Sequence, residues 1–141
     1  MKIGILGTGH VARLLASAWA NAGHQITLGS RDPGAKRLDF SVKTLADTVR
    51  WADVVVNATP LGMKEDDPLP FDIARISPHT FVGEVVMKSE YTPFLCAARE
   101  KGCEVQVGTD MLFEMIPAYL EFFGFGTATP DELRSAATIA Y

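Results

Sequence analysis

The chain is predicted to form an α/β domain built on one doubly wound parallel sheet with helices on both faces. Three observations support this. Short strands that read as solid apolar runs alternate with stretches of helical period, as expected when strands are buried on both faces. The first strand leads directly into a glycine-rich turn that opens a helix. The length, 141 residues, fits one domain of about 100–200 residues.

The elements follow in order. Residues 2–6 are a continuous apolar run, and over 11–19 Leu14, Leu15 and Ala18 recur at helical spacing. Gly23 suits the left-handed position that ends a helix, and 24–28 form the second strand. Residues 29–36 are polar and read as loop. Thr44 with Asp47 resembles a capping box for a short helix through Arg50, and 53–57 is a β-branched buried strand. Pro60, Pro68 and Pro70 keep 58–70 irregular. Residues 71–76 suit a turn or two of helix, and 80–86 the next strand. Thr92-Pro93 combines a capping hydroxyl with a proline at the first helical position and starts a helix to about Lys101. A last strand over 104–107 precedes helical spacing over 111–123. Thr129-Pro130-Asp131-Glu132 completes a capping box for a terminal helix ending near Ala140. No repeat or low-complexity tract divides the chain, so 1–141 reads as one domain.

Composition narrows the function. Thirteen Lys and Arg against 17 Asp and Glu give a net charge of −4, which does not attract nucleic acid or anionic lipid. No apolar run reaches the ~18–20 residues of a membrane span. Gly7, Gly9, His10 and Arg13 break up any signal-peptide core. Cys96 and Cys103 lack CxxC spacing and a histidine cluster, so no metal site is expected. A reducing cytoplasm is the expected location.

The turn after the first strand, Gly7-Thr8-Gly9-His10-Val11-Ala12, is a G-x-G-x-x-A loop. In that position the helix N-terminus offers free N–H groups to a pyrophosphate, and the glycines let the backbone approach it. About twenty residues further on, NAD-binding domains place an acidic residue at the ribose 2′-hydroxyl. Here the second strand ends in Leu28-Gly29-Ser30-Arg31. A hydroxyl and a guanidinium suit a 2′-phosphate, with Lys36 and Arg37 close by, so the expected cofactor is NADP. Asp32 is the competing residue, should it face the ribose instead.

The segment ILGTGHVARLLASAWANAGHQITLGSRDP resembles the N-termini of coenzyme F420-dependent NADP oxidoreductases. From Asp53 onward, Val55-Val56-Asn57-Ala58-Thr59-Pro60-Leu61-Gly62-Met63, Asp67-Pro68-Leu69-Pro70, Thr92-Pro93-Phe94-Leu95 and Gly108-Thr109-Asp110-Met111-Leu112 resemble the nucleotide-binding domain of shikimate and quinate dehydrogenases. The resemblance implies a Rossmann-type fold in which Asn57, Ala58, Thr59 and Pro60 lie along the cofactor and Met111 flanks the nicotinamide. It also implies a separate substrate domain bearing a catalytic Lys and Asp, which has no counterpart in these residues. The family's Asp-x-x-Tyr becomes Glu84-Val85-Val86-Met87, and its Gln after Gly-Met-Leu-Val becomes Met115. Shikimate itself is therefore not the expected substrate.

Hydride transfer needs orientation and usually a proton donor from the protein. Lys88, just past the 80–86 strand, and Asp110, beside the expected nicotinamide, are the catalytic candidates. Asp110 also reads as the N-cap of the next helix. Glu84, inside a buried strand, must face the crevice or pair with a cation. An apolar substrate pocket is expected from Met63, Met87, Met111 and Met115. Phe113, Tyr119, Phe122, Phe123 and Phe125 crowd one stretch and wrap around more than one helix face. Surplus apolar surface of this kind suits a partner. A homodimer is expected, in which residues from about 109 to 141 roof the crevice of the second subunit. The leading reading is thus an NADP-dependent oxidoreductase acting on a small carbonyl, imine or polarised alkene. The alternatives are a non-catalytic NADP-binding module or subunit, and hydride exchange between NADP and F420.

Overall fold

The computed structural model describes residues 1–35, 37–64 and 66–139. Among the described residues, six strands form one wholly parallel sheet: β1 (Lys2–Leu6), β2 (Gln25–Ser30), β3 (Ser41–Thr44), β4 (Val54–Asn57), β5 (Phe81–Glu84) and β6 (Val105–Gln106). Their order is β3-β2-β1-β4-β5-β6. The chain runs outward from β1 in one direction, returns to β4, and runs outward in the other. That reversal opens a crevice beside the carboxyl end of β1.

Alternation along the strands sorts side chains to the two faces. Leu6, Val55 and Val82 join Val49 of α2 (Leu45–Trp51) and Phe94, Leu95 and Ala98 of α3 (Pro93–Glu100) in the larger core. Ile3, Ile5 and Leu28 pack on Ala12 and Ala16 of α1 (His10–Asn21) on the opposite face. The two small alanines let α1 lie close to the sheet. Phe71 meets Phe94 edge-to-face at 5.6 Å, anchoring the chain just after Pro70 to the larger core.

Two further helices close the chain: α4 (Asp110–Phe122) and α5 (Pro130–Ala136). Thr129 caps α5, its hydroxyl oxygen accepting from Glu132 N while Glu132 Oε2 accepts from Thr129 N at 2.8 Å. The expected capping box therefore forms. Arg134 ties α5 to α4, with Nη2 2.7 Å from Glu114 Oε1. No α4 side chain is buried.

Several boundaries differ from expectation. Gly29 and Ser30 are not loop but the end of β2, because Gly29 pairs with Leu6 and Ser30 with Thr44. The strand β3 was not anticipated. Its Ser-Val-Lys-Thr sequence has one apolar residue, and as an edge strand it is defined by pairing with β2. The terminal helix stops at Ala136 rather than near Ala140, which lies outside the described residues. Cys96 and Cys103 are both free thiols.

Candidate functional site

The carboxyl ends of β1, β2 and β4 meet at a cleft of about 470 Å3. Its floor is the β1–α1 turn. Gly7 donates its N–H to Gly29 O at 2.9 Å, and Ala58 N donates to Leu6 O at 2.9 Å, so the turn is tied between its neighbouring strands. Gly7 has φ +114°, and a Cβ there would lie 3.0 Å from Ala58 O. Both conditions call for glycine.

Gly9 stands at the N-cap of α1 with no side-chain cap, and the first turn carries no acidic residue. The first-turn N–H groups and the positive end of the helix dipole are therefore left for an anion. A Cβ on Gly9 would meet no atom within 4 Å. It would occupy open space that a phosphate group can fill instead.

One wall comes from the end of β2. Ser30 Oγ accepts from Asp32 N at 3.1 Å, which fixes the turn carrying Arg31 and leaves the Ser30 hydroxyl hydrogen free to donate. Arg31 and Asp32 both line the cleft. The opposite wall is the loop after β4. Asn57 Oδ1 accepts from Thr59 N at 3.1 Å and Thr59 Oγ1 at 2.7 Å, while Asn57 Nδ2 donates to Leu61 O at 3.1 Å. Leu61 N closes the network on Thr59 Oγ1 at 3.2 Å. Asn57 is fully buried and works beneath the surface of the cleft.

The structure thus brings Gly7, Thr8, Gly9, Ser30, Arg31, Ala58, Thr59 and Pro60 together. Ala12 is buried against the sheet, while His10 and Val11 are exposed and do not line the cleft. Lys36 lies outside the described residues. Leu45 and Pro70 add apolar walls that sequence reasoning missed. Leu45 follows directly from the unanticipated β3, so no local signal placed it there.

A second hollow, about 700 Å3, runs over the bare face of the sheet between α1 and α4. Leu15 and Trp19, Val54 and Val56, Phe81, and Met111 and Met115 line it. Met111 therefore sits at the sheet-face groove rather than in the glycine-loop cleft. The expected pocket of four methionines does not form, because Met63 and Met87 are exposed and do not line the groove. Their positions follow separate loops at the ends of β4 and β5, and only the α4 pair shares one helix face.

The two catalytic candidates lie apart. Lys88 is exposed and lines neither hollow. Asp110 is the first helical residue of α4 and not its cap, a position held by Thr109. Asp110 Oδ1 lies 3.7 Å from Arg134 Nε. Gly108 has a distinct role: a Cβ there would run into the Val86 carbonyl, where the backbone entering α4 crosses the segment after β5.

Glu84 ends β5 and is 3% exposed. Neither carboxyl oxygen has a hydrogen-bond partner of good geometry. Burial pushes its pKa above the ordinary carboxylate value, and the neighbouring Thr92 hydroxyl and Asn57 amide offset part of that rise. Among the described residues no cluster of His, Cys, Asp or Glu could hold a metal ion, and no helix is long and apolar enough to cross a membrane.

Strand order, glycine turn and cleft together define a doubly wound α/β domain of the Rossmann type. Comparison with known proteins agrees. The family described as NADP oxidoreductase, coenzyme F420-dependent, matches residues 2–67. The shikimate dehydrogenase (NADP(+)) of Acidiphilium cryptum is 36% identical over 141 residues, covering 94% of this chain and 51% of its own length. The quinate/shikimate dehydrogenase (NAD(+)) of Corynebacterium efficiens is 38% identical over 100 residues, covering 70% of this chain and 34% of its own. Among solved structures, shikimate 5-dehydrogenase from Thermus thermophilus in complex with NADP(H) and shikimate superposes with TM-score 0.81 at 26% identity, covering 95% of this chain and 53% of that one. Quinate dehydrogenase from Corynebacterium glutamicum in complex with NAD gives TM-score 0.78 at 27% identity, with 95% and 53% covered. The chain spans about half the length of the curated relatives it matches.

Proposed function

We infer that this chain is the NADP(H)-binding part of an oxidoreductase that transfers hydride to or from a small carbonyl, imine or polarised alkene. One observation carries the reading: the glycine turn, the Ser30–Arg31 corner and the Thr59 loop border one cleft at the uncapped N-terminus of α1. Gly7, Thr8 and Gly9 would hold the pyrophosphate, and Ser30 with Arg31 the 2′-phosphate. Ala58, Thr59 and Pro60 would run along the nucleotide, steadied from below by Asn57. A bound nicotinamide would supply the hydride; the protein would orient it and exclude water.

The likeness to shikimate and quinate dehydrogenases supports oxidoreductase chemistry, while the exchange of family side chains at Met87 and Met115 argues for a substrate other than shikimate. We assign completion of the active site to a second copy of the chain. Parallel sheets are covered on both faces, yet a groove lies open here beside α4. The same chain exposes Tyr119, Phe122, Phe123 and Phe125 at and beyond the end of α4. Tyr119, Phe122, Phe123 and Phe125 are 53%, 81%, 67% and 67% exposed, so at ~150–250 Å2 per whole aromatic they offer roughly 400–670 Å2, more than half of the ~800 Å2 per partner of a standard interface.

A specific observation favours a second reading, a non-catalytic NADP-binding module: Asp110 is engaged by Arg134, and Lys88 lines neither hollow. The match of residues 2–67 keeps F420 as a third electron partner to assay. Fluorescence titration with NADPH and NADH tests the shared premise. Saturable binding that favours NADPH is expected, and no binding of either nucleotide would overturn it. Turnover with a panel of carbonyl and imine acids, set against F420, then separates the chemistries; binding without any turnover would favour the module.

A further inference from the structure

Glu84 is the one buried side chain among the described residues whose polar atoms are left without partners. Its place in the fold is specific. Along β5 it shares a face with Val82, which packs in the core under α2 and α3. From β4 it is paired in register with Asn57, and from the start of α3 it meets Thr92. Asn57 holds the loop that walls the cleft, and Thr92 caps α3 by accepting from Leu95 N at 3.3 Å.

Hydrogen-bond inventory shows what this carboxyl can do. Asn57 uses one amide hydrogen on Leu61 O and has one left. Thr92 Oγ1 accepts from Leu95 N and retains both a hydrogen and a further lone pair. A neutral Glu84 matches this set, because its O–H can donate to Thr92 while its second oxygen accepts from Asn57. An ionised Glu84 can accept from the same Asn57 amide hydrogen and from the Thr92 hydroxyl, which offsets part of its cost, but its charge sits on buried oxygens with no cation beside them. To compensate, both donors must be drawn closer than a neutral acid requires. Turning the Asn57 amide strains its bonds to Leu61 and Thr59, the bonds that shape the cleft wall.

We propose that Glu84 is a positioning residue that works as a neutral acid, holding the Asn57–Thr59–Leu61 network in its nucleotide-binding shape, so that nucleotide affinity falls as Glu84 loses its proton. The proposal rests on the NADP-binding reading of the cleft. The groups acting on Glu84 from β4 and α3, Asn57 and Thr92, are uncharged. The charged side chains on the adjoining segments are turned elsewhere: Lys88 and Glu90 are exposed, and Asp67 Oδ2 accepts from Gly62 N and Lys64 N, both at 3.0 Å. Of the titratable groups that line the sheet-face hollow with Glu84, Glu114 is paired with Arg134 at 2.7 Å and His24 lies before β2, at the opposite end of the sheet.

The sign follows from linkage. A carboxyl whose folded pKa is raised favours the protonated fold, so the network is fully held below the unfolded value of 4.5. It weakens as pH rises from there through the raised value.

The test compares the wild-type chain with Glu84→Gln, which keeps the shape and stays neutral. NADP+ affinity is read by titration calorimetry from about pH 4.5 to about pH 9, alongside amide hydrogen exchange of Thr59, Leu61 and Gly62 in ligand-free protein. Wild-type affinity should fall with pH more steeply than that of the variant, by at most about tenfold per unit for one linked proton. Loop protection corrected for intrinsic exchange should fall in parallel in wild type and stay level in Glu84→Gln. The same pH dependence in both proteins would overturn the proposal. Carbon-13 NMR of the wild-type Glu84 carboxyl supplies a readout that needs no variant, and titration at or below the ordinary carboxylate range would also overturn it. If neither protein binds NADP+ at any pH, the nucleotide reading fails, while loop exchange and the carboxyl titration still decide the role of Glu84.

Discussion

Gly7 donates its N–H to the carbonyl of Gly29 at 2.9 Å. This bond joins the phosphate-facing turn to the strand end that carries Ser30 and Arg31. Replacing Gly7 with alanine forces a side chain into φ +114° and against Ala58 O. A loss of about 1–3 kcal/mol in unfolding free energy is expected by denaturant titration, with nucleotide binding weakened as well. An unchanged midpoint would contradict the strain argument.

Arg31→Ala should weaken NADPH far more than NADH. Charge-assisted hydrogen bonds contribute about 1.5–3 kcal/mol, roughly a tenfold to hundredfold change in affinity. Equal losses for the two nucleotides would show that Arg31 does not contact the 2′-phosphate. Asp32→Ala is the control: should Asp32 face the ribose instead, that change would weaken NADH selectively.

Asn57 is buried and accepts or donates three hydrogen bonds within its own loop. Truncation in Asn57→Ala leaves the half-buried Thr59 N and Leu61 O without it; water in the cleft can replace part of the loss, so each costs less than the about 1–3 kcal/mol of a fully buried stranded group. Thermal denaturation should register the loss, and cofactor affinity should drop with it.

Phe122→Glu combined with Phe123→Glu should convert a dimer into monomers with little change in helical content. Both residues are exposed within one chain, with their rings packed edge-to-face at 5.1 Å. Light scattering reads the outcome. A wild-type chain that is already monomeric at micromolar concentration would remove the second subunit from the proposed site.

The α5 capping box gives a pH prediction of opposite sign to that of Glu84. Hydrogen bonds from Thr129 hold the Glu132 carboxyl below its ordinary pKa of 4.5. The cap is therefore in place above that value and is lost as pH falls through the lowered one. Acidification should lower the protection of the Glu132 and Leu133 amides, with exchange corrected for its intrinsic pH dependence, ahead of the sheet, and Thr129→Ala should abolish that step.

Local chemistry explains which elements could be read in advance. Thr129 with Glu132, and Thr92 with Pro93, announce helix starts within four residues of each other or fewer, and both caps form. The β-branched run at 54–57 reads as strand because it is buried on both sides. By contrast, Ser41–Thr44 carries no such signal and becomes a strand only beside β2. Met63 and Met87 looked equivalent to Met111 and Met115 in composition. They differ because loops and helices carry them to separate surfaces.

By itself the sequence determined the alternation of strands and helices, the glycine turn, and the Ser30–Arg31 corner, all of which depend on neighbours close in the chain. Tertiary structure alone decided that Leu45 walls the cleft, that Asp110 meets Arg134, that the sheet face beside α4 lies open, and that Glu84 is buried beside Asn57 and Thr92 without a hydrogen bond of good geometry. Those outcomes depend on distances between residues far apart in sequence, and burial of a charge or a methionine is a property of what surrounds it.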